Sequence, residues 1–113
     1  MQSSVVHHRY LLSNLLKELE GALKALNLWQ NKRPSEFALA SQMPFAIDTL
    51  RFPEWLQFIF IEKMSQRLQL NAPLPSKMSI TPMATEYFKS TAINSDILIS
   101  VIRRIDALIN ETI

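Results

Sequence analysis

The first regular pattern along the chain lies between Val5 and Trp29, where Leu12, Leu15, Leu19, Ala22, Leu26 and Trp29 recur in alternating steps of three and four. That spacing gathers them on one side of a helix, and Leu16 and Leu23 widen the seam into a face suited to a bundle. Residues 5–29 are therefore predicted to form a long amphipathic helix. Glu20 and Lys24, four apart with the acid leading, suit its solvent side. Gly21 projects away from the seam and reads as a tolerated surface glycine.

From Gln30 to Leu50 the periodicity disappears and Pro34 and Pro44 punctuate the chain, yet Phe37, Leu39, Phe45 and Ile47 are too apolar for a free linker. A second helix over 53–70 follows, with Pro53 in its first turn, where a missing N–H does no harm. Its first half carries Trp55, Leu56, Phe58, Ile59, Phe60 and Ile61 almost all round the axis. In its second half only Ile61, Met64 and Leu68 share a face, while Lys63 and Arg67 occupy another. The loop from Phe37 to Leu50 is thus expected to wrap the N-terminal half of this helix, with neighbouring helices covering the rest.

A second proline-punctuated connection, residues 71–82, leads to a short helix over 82–89, with Thr81 as N-cap and Pro82 at the first helical position. Met83, Tyr87 and Phe88 form its apolar side. After a turn near Asn94 and Ser95, a last helix over 96–112 carries the stripe Leu98, Val101, Ile102, Ile105, Leu108, Ile109 and Thr112. Ile99 falls outside the stripe, beside Asp106 and Asn110, and reads as a singly exposed apolar residue. The whole is an all-α, single-domain bundle of about four helices over residues 1–113, with a long ordered loop packed on the second helix.

Composition supports this class. A hydrophobic content of 48% is that of a packed chain. The single Gly, against roughly eight at average usage, argues for helices and against glycine-rich phosphate loops. No Cys is present, which removes disulfides, thiolate nucleophiles and Cys-based zinc sites. The pI near 9.2 rests on 12 Lys+Arg against 10 Asp+Glu, a net charge of only +2. Lys32-Arg33 and Arg103-Arg104 are the adjacent basic pairs, a thin footprint for a phosphate backbone. No apolar run approaches the ~20 residues that cross a bilayer, and no signal segment stands out, so a cytoplasmic chain is expected.

The densest chemistry lies in residues 43–61, MPFAIDTLRFPEWLQFIFI, where apolar groups crowd round Asp48, Glu54 and Gln57. Buried polar groups need partners, so this stretch marks the centre of the fold. Asp48 and Glu54 in an apolar site could form an acid–base pair with pKa values driven apart. The favoured alternative is structural: Asp48 or Thr49 bonds backbone N–H groups at the turn before Pro53, and Glu54 favours the positive end of its helix. Trp29, Phe45, Trp55 and Gln57 could line a small-molecule pocket, but aromatic residues at these spacings are more often core. His7 and His8 face different sides of a helix, and no second cluster completes a metal site.

Taken in order, Trp29, Pro34, Phe37, Ser41, Pro44-Phe45, Asp48-Thr49, Glu54-Trp55-Leu56-Gln57, Met64, Pro73-Leu74-Pro75 and Pro82-Met83 resemble the YqcC-like family of small bacterial proteins. The resemblance covers roughly Leu12 to Phe88. It implies a helical bundle, a biochemical role not yet assigned, and a label linking the family to tRNA pseudouridine synthase C. Synthases of that kind are much larger mixed α/β enzymes with an extended RNA groove, whereas this chain is short, helical and weakly basic.

The reading that follows is a non-catalytic cytoplasmic binding or adaptor protein, without a cofactor, whose partner is a protein; self-association stays open. The family-motif surface of Trp29, Phe45, Asp48, Thr49, Glu54, Trp55 and Gln57 is one candidate site, and Lys32, Arg33 and Ile99 are candidate partner contacts. The alternatives are an RNA-associated accessory factor, which needs Lys32, Arg33, Arg103 and Arg104 on one face, and a small enzyme or ligand-binding protein using Asp48 and Glu54.

Overall fold

A computed structural model describes residues 2–111, with side-chain environments from Val5 to Glu111. All regular elements among them are helical: α1 (Gln2–Ala25), α2 (Glu36–Leu39), a 3-10 turn (Pro44–Ala46), α3 (Phe52–Trp55), a π-helical segment (Leu56–Ile61), α4 (Glu62–Gln69), α5 (Thr81–Lys89) and α6 (Asp96–Asn110). The all-α architecture agrees with the sequence pattern. α3, the π segment and α4 run on without a break as the predicted second helix. α1 lies between α4 and α6, and α5 packs on α6.

The seam of α1 is buried as its spacing demands, with Leu12, Leu19 and Leu23 at 0% exposure. The helix stops at Ala25, short of the predicted end at Trp29, although the apolar rhythm runs on. Asn27 takes the left-handed conformation (φ 59). Its N–H bonds the Lys24 carbonyl at 3.0 Å, and the Leu28 N–H bonds the Leu23 carbonyl at 2.9 Å. That pair of bonds is a Schellman motif, in which an αL residue turns the chain off the axis and satisfies the last carbonyls. α4 ends in the same way at Asn71 (φ 54), where Asn71 and Ala72 donate to Leu68 and Arg67 at 3.3 and 2.8 Å. Asparagine tolerates αL better than other non-glycine residues. A chain with one glycine can therefore still build glycine-type helix ends. The guanidinium of Arg9 closes the second of these ends, donating to the carbonyls of Arg67 and Ala72 at 3.0 Å each.

The second helix shows the predicted narrowing. Phe52, Leu56, Phe58, Phe60 and Ile61 are all buried, whereas in α4 only Met64 is buried and Leu68 is half-buried. The loop before it covers less than expected. Ala46 and Leu50 are buried and Phe45 packs against the core, but Phe37, Met43 and Ile47 are 83, 51 and 57% exposed. The loop packs through its second limb and turns these three side chains to solvent.

α5 is not capped by Thr81, which lies inside the first turn. The cap comes from Asp106 in α6, whose carboxylate accepts from the Ile80 N–H (3.0 and 2.9 Å), the Thr81 N–H (2.7 Å) and the Thr81 hydroxyl (2.6 Å). Asp106 is buried, and Asn110 one turn on pairs with both the N–H and the C=O of Met78. The side of α6 read as solvent-facing is thus a structural seam. Ile99 beside it is half-buried against the core rather than exposed. Leu98, Val101, Ile102, Ile105 and Ile109 are buried as their spacing predicts; Thr112 lies outside the described residues. A β-carbon added at Gly21 would meet nothing within 4 Å, so the residue is simply tolerated on the surface.

Candidate functional site

The motif residues fall around the π segment, and most of them hold the fold together. Gln57, 5% exposed, projects from the π segment towards the chain leaving α1. Its Nε2 donates to the Gln30 carbonyl at 2.8 Å and its Oε1 accepts from the Gln30 N–H at 2.9 Å. A side-chain amide paired in this way imitates a backbone partner and satisfies a non-helical residue that no secondary structure serves. Trp29 is half-buried beside this pair, with the Lys24 ammonium 5.3 Å from its ring centre.

Half-buried Trp55 and buried Phe52 share an aromatic cluster, of which Phe52, in contact with Phe45, Trp55, Tyr87 and Phe88, is the hub. The Phe45 ring meets Trp55 edge-on at 4.7 Å, and Phe52 and Phe60 stack near Trp55 at 6.1 and 5.7 Å. Phe52 carries the cluster on to Tyr87 and Phe88 of α5 at 5.8 and 6.2 Å. Loop, second helix and α5 are joined through these rings, whose edge-on and offset contacts add to simple area burial. The pocket of Trp29, Phe45, Trp55 and Gln57 is not assembled: Phe45 and Trp55 pack on each other, while Gln57 is turned to Gln30. Four open surface grooves of about 370 to 700 Å³ lie elsewhere, between α1 and α4, between α1 and α6, and along residues 73–79. None of these is lined by Trp29, Phe45, Asp48, Thr49, Glu54, Trp55 or Gln57, although one takes in Pro73, Leu74 and Pro75.

Asp48 and Glu54 serve separate local bonds. The Ser41 hydroxyl donates to Asp48 and itself accepts from the Met43 N–H at 3.1 Å. Glu54 accepts from the Arg51 N–H at 2.7 Å, one half of a capping box at the start of α3, since a guanidinium at the N-cap has no acceptor to return the bond. Thr49 is a donor, its hydroxyl bonding the Ala38 carbonyl at 2.7 Å, and not the acceptor expected before Pro53. Asp48 likewise receives a side-chain hydroxyl, not backbone N–H groups. The two carboxylates are thus engaged by different partners, and neither lines any of these four grooves.

The candidate partner contacts are dispersed as well. Lys32 is exposed, but Arg33 is bound to Glu62 at 2.7 and 2.9 Å and lies 5.9 Å from the Phe58 ring. Arg104 pairs with Glu18 at 2.9 and 3.1 Å, and Arg103 is exposed. Half of the four-residue basic footprint is locally neutralised. His8 faces Glu111 at 3.7 Å, and no group of three or more metal-ligating side chains occurs among the described residues. Among those residues, no helix is long and apolar enough to cross a membrane.

The feature that the sequence pattern did not resolve is the outward face of the loop. Thr49 to Ala38 and Ser41 to Asp48 tie its two limbs together, and Phe45 and Ala46 both adopt positive φ (57 and 48). That reversal turns Ala46 inward and leaves Ile47 outward. Glu36 and Asp48 flank the exposed Phe37, Met43 and Ile47, and residues 34–50 contain no Lys or Arg. This absence of basic residues is the one signal that sequence alone could have offered.

Comparison with known proteins places this geometry in a family. A protein described as uncharacterized from Haemophilus influenzae is 40% identical over 74 residues, covering 66% of this chain and 70% of that protein. Protein YqcC of Escherichia coli is 28% identical over 93 residues, covering 82% and 85%. A protein named tRNA pseudouridine synthase C from Pectobacterium carotovorum is 38% identical over 60 residues, which are 53% of this chain but 16% of that protein. The solution structure of Escherichia coli YqcC superimposes with a TM-score of 0.80 at 25% identity, over 92% of this chain and 89% of the other. A family profile described as DUF446, tRNA pseudouridine synthase C, matches residues 11–108. With nearly the whole bundle matched in sequence and in shape, the chain belongs to that family, of which YqcC is a member.

Proposed function

We propose that the chain is a non-catalytic binding module that serves tRNA pseudouridine modification by engaging a pseudouridine synthase through protein contact. The observation that carries this reading is the Pectobacterium relative. Its name is that of a synthase, yet the segment shared with this chain is 16% of it. A helical segment that small beside the remainder suits an accessory role, the remainder being the part large enough for the reaction.

The local chemistry is consistent with that division. Asp48 and Glu54 are engaged in short-range bonds at a loop and a helix start, and the Gln57 amide is used up on Gln30. With Arg33 and Arg104 held by Glu62 and Glu18, a protein contact is favoured over a phosphate contact.

The test is a titration of the purified chain against the tRNA pseudouridine synthase C of the organism that makes it, with and without transfer RNA, alongside a pseudouridine assay of the chain alone. Binding without RNA, and no pseudouridine from the chain alone, are expected. Retention that needs RNA and fades steeply with salt would instead favour the RNA-associated reading. Turnover by the isolated chain would remove the non-catalytic one.

A further inference from the structure

We infer that the loop face formed by Phe37, Met43 and Ile47, flanked by Glu36 and Asp48, is the docking surface, and that it inserts into an apolar socket with a basic rim on the partner protein. The inference rests on the protein-binding reading above and assigns its surface.

Three observations converge on this loop. First, Phe37 and Met43 are of the kinds enriched at interface centres, and Phe37 at 83% exposure has almost no cover from its own chain. Second, the loop is held in one shape. Ser35 caps α2 through the Ala38 N–H at 3.1 Å, Thr49 and Asp48 tie the limbs together, and the Phe45 ring is seated on Trp55. Two successive non-glycine residues at positive φ cost of the order of 1 kcal/mol or more each, which a mere connection between α1 and α3 does not require. Holding Ile47 outward in advance lowers the ordering cost of binding. Third, the apolar residues have acidic neighbours: Glu36 precedes Phe37 and Asp48 follows Ile47, both exposed, with no basic residue between positions 34 and 50, although Lys32, Arg33 (held by Glu62) and Arg51 border the segment. Carboxylates beside an apolar anchor attract lysines and arginines around a socket. A protein that handles transfer RNA is a natural bearer of such a rim.

The N-terminal part of α1 also exposes apolar side chains, Val6 and Tyr10 among them. It lacks both the acidic flank and the backbone strain, and it serves as the control face.

The experiment measures affinity for the same synthase, as a separate chain without a fused copy of this domain, with far-UV circular dichroism and thermal unfolding of each variant. Phe37→Ser and Ile47→Ser should each weaken binding about tenfold or more while melting like the parent, since an exposed apolar anchor contributes to contact and not to the core. Glu36→Lys should weaken binding several-fold at low salt and flatten its salt dependence. Tyr10→Ser should bind as the parent does. Parent-like binding by both loop variants would overturn the docking surface and leave the binding module intact. Loss of binding in Tyr10→Ser alone would move the contact to α1 and likewise overturn it. A parent chain that ignores the synthase would remove both the surface and the reading beneath it. Concentration-dependent dimerisation of the chain, abolished by Phe37→Ser, would reassign the face to a second copy and overturn the basic-rimmed partner.

Discussion

At the scale of single residues, polar side chains on helices reach backbone far away in sequence, Arg9, Gln57, Asp106 and Asn110 among them. Asp106 holds the N–H groups of Ile80 and Thr81, and Gln57 holds both backbone groups of Gln30. Because Asp106 is buried, its removal strands donors that water does not reach, whereas Asn110 is exposed and water can replace it. Asp106→Ala should therefore lower stability by on the order of 3 kcal/mol and Asn110→Ala by about 1 kcal/mol or less, measured by urea unfolding. Equal costs would show that burial does not set the difference. Neither role could be read from spacing: Asp106 lies on the side of α6 that periodicity marks as polar, and its partners are 25 and 26 residues away.

At the scale of elements, the helices follow the apolar rhythm, but their ends follow backbone chemistry. The run from Val5 to Trp29 keeps its rhythm past Ala25, and Asn27 overrides it by entering αL. Asn71 does the same after α4. Asn27→Gly and Asn71→Gly should leave stability unchanged or raise it slightly, while Asn27→Ala and Asn71→Ala should each lower it by about 1 kcal/mol, because a β-carbon without a compensating polar group is strained at positive φ. Thermal unfolding of the four variants checks this; a Gly variant less stable than its Ala counterpart would rule out the αL explanation. The π segment is a second departure from regular periodicity. Five of its six residues are buried, and the wider turn makes the transition from a helix surrounded by core to one with a single apolar stripe. The sequence signalled that transition through its all-round apolar first half, but gave no sign of the altered hydrogen bonding.

At the scale of the whole molecule, the aromatic cluster links the loop, the second helix and α5 through Phe52, with Phe45 and Trp55 packed on it, so these two motif residues contribute to the fold. Because Trp55 is half-buried, Trp55→Ala should cost about 2 kcal/mol, less than a fully buried aromatic, and weaken the whole bundle, not one element. Coincident loss of helical and aromatic circular dichroism signals at a lower denaturant midpoint is the expected outcome; an unshifted midpoint would mean that the tryptophan is dispensable to the core. Phe45, Trp55 and Gln57, like Asp48 and Glu54, are each engaged by different neighbours at this scale. The outward face of the loop comes into view at this scale too, because exposure depends on which limb the fold buries.

The order of the chain's own residues determined that it is all-helical, where its four longer helices lie to within a few residues, which stripes are buried and that the second helix changes character midway, but not the short α2 and 3-10 turn within the loop. These are consequences of a rise and a periodicity that act over a few residues, so local sequence carries them. Tertiary structure decided that Asp106 caps α5, that Gln57 pairs with Gln30, that Arg33 and Arg104 are held by Glu62 and Glu18, and that Phe37, Met43 and Ile47 face outward. Each of these depends on groups that folding alone brings within bonding distance, or on surface that folding alone covers, and no periodicity along the chain encodes either.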